Sequence, residues 1–195
     1  MKGAKVLDNR NLENTLNIRP ESEKDLTTLR QLIQDAFDPM PFSTGKEWQL
    51  VESIRSSDGY VPELALVAEY EGEIVGHIMV SEVAIDSKIS MIPALILSPV
   101  SVLPRFQRKG VGQALCRKAV EEAKKTDYPV MIVIGDPNYY SRFGFQPAVP
   151  HGVYLPFGFE EEYLQMTPLK DGALEKVSGA IQFPPWFFDA RGELL

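Results

Sequence analysis

Apolar positions along the chain change their spacing several times, and each change marks an element. In "ESEKDLTTLRQLIQDAF" (21–37), Leu26, Leu29, Leu32, Ile33, Ala36 and Phe37 recur at helical spacing. Glu21, Glu23 and Asp25 stand at the end where the helix dipole favours acids. "LNIRP" (16–20) predicts a short strand before this helix, and "DPMPFSTG" breaks it. "KEWQLVESIRSS" (46–57) predicts a second, shorter helix. Over 63–86 two β-rich runs flank "EGE", which predicts a hairpin with Gly72 at its turn. "MIPALILSPVSVLP" (91–104) is a third β-rich run, too apolar for a surface strand.

A helix is expected from about residue 110 to 126, followed by a buried strand in "PVMIVIGD" (129–136). "NYYSRFGF" (138–145) reads as a short helical turn closed by Gly144, and "YLQMTPL" (163–169) as a last strand. "GAIQFPPWFFDARGELL" reads as a Pro- and aromatic-rich tail, and the polar residues 1–14 are expected to fray. No internal repeat or low-complexity linker divides the chain, so one domain is expected over 1–195, with 170–195 packed on it as an extension. The order is strand, two helices, three strands, helix, strand, short helix, strands. That order fits a mixed α/β sheet rather than a doubly wound one.

Composition narrows the partners. Hydrophobic residues make up 44% of the 195, too many for a disordered chain. A net charge of −7 argues against general nucleic-acid binding, which needs a positive field, and is compatible with a cationic substrate. Cys116 is the single cysteine, so no internal disulfide forms. His77 and His151 lie far apart without Cys partners, and no metal is expected. "MKGAKVLDNRNLENTL" lacks the apolar run of a signal peptide, and no stretch approaches the roughly 20 apolar residues of a membrane span. The expected setting is cytoplasmic, with no membrane partner.

The candidate chemistry lies in "FQRKGVGQALCRKAV" (106–120), where two glycines stand at the expected start of a helix. A helix start leaves its first backbone N–H groups without partners, and the dipole adds positive character there. Together these form an anion site. Gly110 and Gly112 leave room for a phosphate, and Arg105, Arg108 and Lys109 surround the spot with positive charge. On these residues alone, a plain turn on a solvated basic face accounts for the pattern equally well. A dinucleotide fingerprint fails because Leu115 stands where its third glycine belongs. A P-loop fails because Gly45-Lys46 runs into Glu47 and lacks the upstream glycine.

"VSVLPRFQRKGVGQAL" resembles the acyl-CoA-binding motif of the GNAT N-acetyltransferases, Gln/Arg-x-x-Gly-x-Gly/Ala, through Gln107, Gly110 and Gly112. "YYSRFGF" resembles that family's Tyr-x-x-x-Gly-Phe segment, placed after the next strand. "GDPNYYSRFGF" together with "GALEKVSGAIQFPP" is similar to a YhbS-like bacterial branch, and the resemblance covers roughly residues 16 to 185.

The resemblance implies a central mixed, mostly antiparallel sheet flanked by helices, with its fourth and fifth strands (about 94–103 and 129–135) splayed around acetyl-CoA. It implies that backbone groups of Val100, Ser101 and Val102 pair with the pantetheine arm. Amides of Arg108, Lys109, Gly110, Val111, Gly112 and Gln113, after Gln107, would cradle the pyrophosphate. It also implies direct acetyl transfer to the primary amine of a small-molecule or peptide acceptor, with Tyr140 hydrogen-bonding or protonating the leaving sulfur. A tyrosine pKa of about 10 against about 8.5 for a thiol makes full proton transfer slightly uphill. Many relatives carry an Asn several residues before that tyrosine. Here Asp136-Pro137 occupies the region and Asn138 lies two residues before Tyr140, so the Asn role does not carry over.

A general base is not legible. His77 and Glu82 lie on one expected strand but on opposite faces by alternation. "EEE" (160–162) reads as a solvated run and Cys116 as packing. Trp186, Phe187 and Phe188 are candidates for core cover, a pocket wall or a homodimer contact. An acyl-CoA-binding module without turnover is the alternative to an enzyme, and a nucleotide-phosphate binder is a third reading.

Overall fold

A computed structural model describes residues 12–38, 40–41, 43–156 and 161–195. Residues 1–11, expected to fray, lie outside the described residues, as does Glu160 of the acidic run. Leu12 is 3% exposed within the core and Glu13–Thr15 form a 3₁₀ turn, so this stretch is held rather than frayed.

The hairpin and the apolar run form the centre of a nine-stranded sheet. Strand β1 (Asn17–Pro20) pairs antiparallel with β2 (Leu66–Tyr70), and β2 with β3 (Glu73–Asp86) across the expected turn at Glu71-Gly72. Strand β4 (Met91–Val102) lies antiparallel to β3. It then meets β5 (Val130–Ile134) in parallel. Beyond β5 come β8 (Leu164–Pro168) and the two-residue β6 (Gln146–Pro147). Three strands fall outside the sequence expectation, the short β6 among them. β9 (Gly179–Gln182), within the supposed tail, pairs with the far end of β3, and β7 (Val153–Tyr154) pairs with β9. The mixed, mostly antiparallel sheet is the one expected.

Helices cover both faces. Helix α1 (Leu26–Phe37) buries Leu29, Leu32, Ile33 and Ala36, and α2 (Glu47–Arg55) buries Leu50, Val51 and Ile54. Helix α3 (Val111–Ala123) buries Val111, Ala114, Leu115, Cys116, Ala119, Val120 and Ala123. Neighbouring β3 positions separate the layers. At Gly76 a β-carbon would press on Val111 and Leu115 of α3, whereas His77 meets Arg55's partner Glu21 on the α1–α2 side.

The acids before α1 divide their roles. Asp25 closes a capping box with Ser22 and takes two hydrogen bonds from Arg19. Glu21, expected to favour the helix dipole, instead turns inward with its side chain 1% exposed. There it accepts from Arg55 at 2.7 and 3.0 Å and from the Tyr60 hydroxyl at 3.0 Å, and it pairs with His77 Nε2 at 3.0 Å.

Candidate active site

Strands β4 and β5 touch only at Leu95–Met131 and Ile96–Ile132. Past that point β4 carries an extra residue: Ser98 and Pro99 together oppose Met79. A bulge adds twist and turns the strand away from its neighbour. The resulting gap holds a cavity of about 890 Å³ that runs from the start of α3 to the α1–α2 side. That volume is in the range of small-ligand sites.

At one end, Gln107–Gly110 form a turn in which Arg108 has φ 57° and Gly110 φ 88°. Both values lie in the left-handed region, which a glycine enters without strain. Gly110 is the N-cap of α3 and offers no side chain to the helix's first N–H groups. Arg108 and Arg142 line this cavity, and the Arg142 guanidinium stands 5.1 Å over the Tyr139 ring. Gln107 lines it too, its side chain donating to the Val102 carbonyl at 3.1 Å. Uncapped amides at a helix start, with two guanidiniums lining the same cavity, give this end the positive character that favours an anion.

The middle of the cavity is walled by Val100 and Val102 from β4 and by Tyr139 and Tyr140 from α4 (Pro137–Tyr140). The two tyrosines differ. The Tyr139 hydroxyl would lie 2.9 Å from a β-carbon on Gly112. Tyr140 packs edge-on against Tyr139, Phe143 and Phe145, and its hydroxyl has no hydrogen-bond partner among the described residues. Burial pushes the Tyr140 phenol well above its ordinary pKa, and the neighbouring Cys116 and Tyr139 add to the rise. It therefore stays a protonated donor. Burial likewise pushes the Cys116 thiol up to about 12, only partly offset by the Tyr139 hydrogen bond, so Cys116 is packing, as expected.

The residues expected in the site separate into two groups. Val100, Val102, Gln107, Arg108, Gly110, Gly112, Gln113 and Tyr140 line the cavity together. Ser101, Lys109 and Val111 do not line it. Ser101 is fully buried opposite His77, its hydroxyl without a partner. Lys109 lies near the Phe106 ring, and Val111 is packed in the core. Ser101 and Val111 have only backbone groups to offer a ligand. Arg105, expected beside the phosphate spot, instead pairs with Glu73. Asn138 turns its amide to Asp136 and is exposed. His77 is fully buried on Glu21, and Glu82 accepts from the Tyr128 hydroxyl; neither lines the cavity. Trp186 covers Gly59, and Phe187 is 3% exposed in the core.

Sequence reasoning missed Tyr139, Arg142, Glu47 and Leu195, all on the cavity wall. The first two lie inside "YYSRFGF", where the helical turn that aims Tyr140 also carries its neighbours. Glu47 and Leu195 belong to no motif.

Residues 17–148 match the model of the acetyltransferase (GNAT) domain. The chain belongs to the GNAT acetyltransferase family. This GNAT chain is 34% identical over 123 residues to the uncharacterised N-acetyltransferase YjhQ of Escherichia coli, covering 63% of this chain and 68% of that one. It is 26% identical over 153 residues to YhbS of the same organism, covering 78% and 90%. The YhbS structure with CoA superposes with a TM-score of 0.78 at 24% identity, covering 89% of this chain and 92% of that one. A GNAT acetyltransferase of Brucella melitensis with acetyl-CoA gives 0.73 at 28% identity, covering 88% and 97%. The residues at the two ends of the β4–β5 gap are this chain's own.

Proposed function

We propose that this protein transfers the acetyl group of acetyl-CoA directly to a primary amine, with the cosubstrate lying in the β4–β5 gap. One observation carries the reading: a single cavity joins the anion cradle at α3 to the unpartnered hydroxyl of Tyr140. The acetyl-CoA bound by the Brucella relative supports the choice of cosubstrate. Amides from Arg108 to Gln113, with the Arg108 and Arg142 side chains, would hold the pyrophosphate. Backbone groups of Val100, Ser101 and Val102 would hold the pantetheine arm.

Acetyl-CoA supplies a thioester carbonyl: the neutral amine nitrogen bonds to its carbon, the C–S bond breaks, sulfur leaves with the bonding pair, and the proton the nitrogen loses passes through solvent to the departing sulfur. Val100 and Val102 exclude water from this stretch. The Tyr140 hydroxyl donates a hydrogen bond where negative charge gathers on sulfur. Its raised pKa favours hydrogen-bond donation over full proton transfer.

Calorimetric titration with acetyl-CoA tests the binding half, with Gly112→Trp as control. Affinity on the order of micromolar, lost in the control, is expected. Absence of binding by the wild type would overturn the reading. Binding without turnover of any amine would point to the non-catalytic module.

A further inference from the structure

The far end of the cavity is chemically unlike the cradle. Phe37, Met40, Leu50 and Leu195 give it apolar walls, with the hydroxyls of Thr44 and Ser98. One half-buried carboxylate, Glu47, stands among them. Its Oε1 accepts from the Ser43 hydroxyl at 2.7 Å and from the Thr44 N–H at 3.1 Å. These contacts brace the start of α2 and fix the carboxylate's orientation. They use only one oxygen: Oε2 has no partner among the described residues. The adjacent cation does not neutralise it, because Lys46 reaches away to Asp189 at 2.9 Å and Glu193 at 3.4 Å. The other carboxylate on the wall, Asp136, is exposed and caps α4.

We infer that the acceptor is a small primary amine with a single positive charge on an apolar body, and that Glu47 holds its ammonium group until that group yields a proton to solvent and attacks as the neutral amine. The inference rests on the reading above, since acetyl-CoA entering from the α3 end leaves this end for the acceptor. A fixed carboxylate oxygen in an apolar chamber favours one ammonium group, and the apolar walls favour the carbon skeleton behind it. A polyamine or aminoglycoside would bring further cations to walls that offer no further half-buried acidic side chain among the described residues, and an unpaired cation there is costly. A peptide acceptor would bring backbone amides to a chamber with few groups to pair them.

The test is steady-state kinetics at saturating acetyl-CoA with phenethylamine, hexylamine, spermidine, kanamycin and a hexapeptide with an N-terminal Leu. Phenethylamine or hexylamine is expected to give the highest kcat/KM. Glu47→Gln is expected to raise the KM of that amine about 10- to 100-fold. The same variant should change KM less than about twofold for p-anisidine, which is uncharged at neutral pH and has no ammonium group to hold. Gln retains an oxygen for Ser43 and Thr44, so unchanged acetyl-CoA affinity will show that the variant is folded. Preference for spermidine, kanamycin or the peptide would overturn the inference. So would an unaltered KM in Glu47→Gln, or no turnover of either small amine by protein that binds acetyl-CoA. Failure to bind acetyl-CoA at all would instead overturn the reading on which the inference rests.

Discussion

The ring of Tyr140 lies so close to Gly135 that a β-carbon on Gly135 would fall 2.4 Å from Cε2 and 3.0 Å from Cδ2. Gly135 itself is fixed at the end of β5, its N–H donating to Tyr163 and its carbonyl accepting from Gln165. The strand therefore sets the position of the phenol. Gly135→Ala is expected to displace the hydroxyl and lower kcat while acetyl-CoA affinity stays within about twofold, as for any change confined to the reacting end. Tyr140→Phe keeps the packing and removes the donor, and is expected to lower kcat by about 100-fold. Wild-type turnover in Tyr140→Phe would remove Tyr140 from the chemistry.

Gly112 answers to a different neighbour. The Tyr139 hydroxyl stands 2.9 Å from where its β-carbon would be. Gly112→Ala forces that hydroxyl aside, so thermal stability should fall. Adding Tyr139→Phe removes the clashing atom and is expected to restore most of the lost Tm. If the double variant melts no higher than Gly112→Ala, the glycine is not there to admit Tyr139.

Much of this was legible in the chain because it depends on local pattern. The helices at 26–37, 47–55 and 111–123 and the central strands follow apolar spacing, and the hairpin turn sits where "EGE" put it. The glycine-marked start of α3 and the Tyr140 segment were legible because each is a contiguous stretch; Arg142, which lines the same cavity as Arg108, was not. The misses are non-local. β9 is four residues whose strand character comes from pairing with Ala84–Asp86, and β6 and β7 are too short to show alternation. Glu21 looks like a helix-start acid until His77, 56 residues away, is brought against it. The acceptor end combines Glu47 with Leu195, a proximity that no local pattern encodes.

The Glu21 cluster predicts a pH dependence. Burial alone would raise the Glu21 pKa, but hydrogen bonds and charges from His77 and Arg55 override it and hold the carboxyl near about 2, below its ordinary 4.5. A depressed carboxyl pKa contributes stability that is fully present above the unfolded value, here 4.5, and is lost as pH falls toward 2. Glu21→Gln leaves Arg55 buried without its counter-charge and is expected to cost about 3 kcal/mol at pH 7. Urea unfolding of both proteins at pH 7 and at pH 3 measures the difference, which should shrink at the lower pH. An equal gap at both values would mean that Glu21 is not charged in the folded state.

A final prediction concerns the segment that carries Leu195 to the cavity. Its approach is fixed at three points: Trp186 on Gly59, the Leu195 N–H donating to the Phe187 carbonyl, and Lys46 Nζ on Asp189 at 2.9 Å. The Lys46 hydrogen bond is the main cause holding the Asp189 carboxyl down to about 2, and backbone N–H groups of Glu193 and Arg191 also donate to it. This contact joins the start of α2, and with it Glu47, to the wall bearing Leu195. Lys46→Ala is expected to loosen the acceptor end alone, raising the amine KM about two- to fivefold and leaving acetyl-CoA affinity unchanged. Because the pair is only partly buried, high salt should reproduce part of the effect in the wild type and none of it in Lys46→Ala. An equal salt response in both proteins would show that the ion pair does not hold this wall.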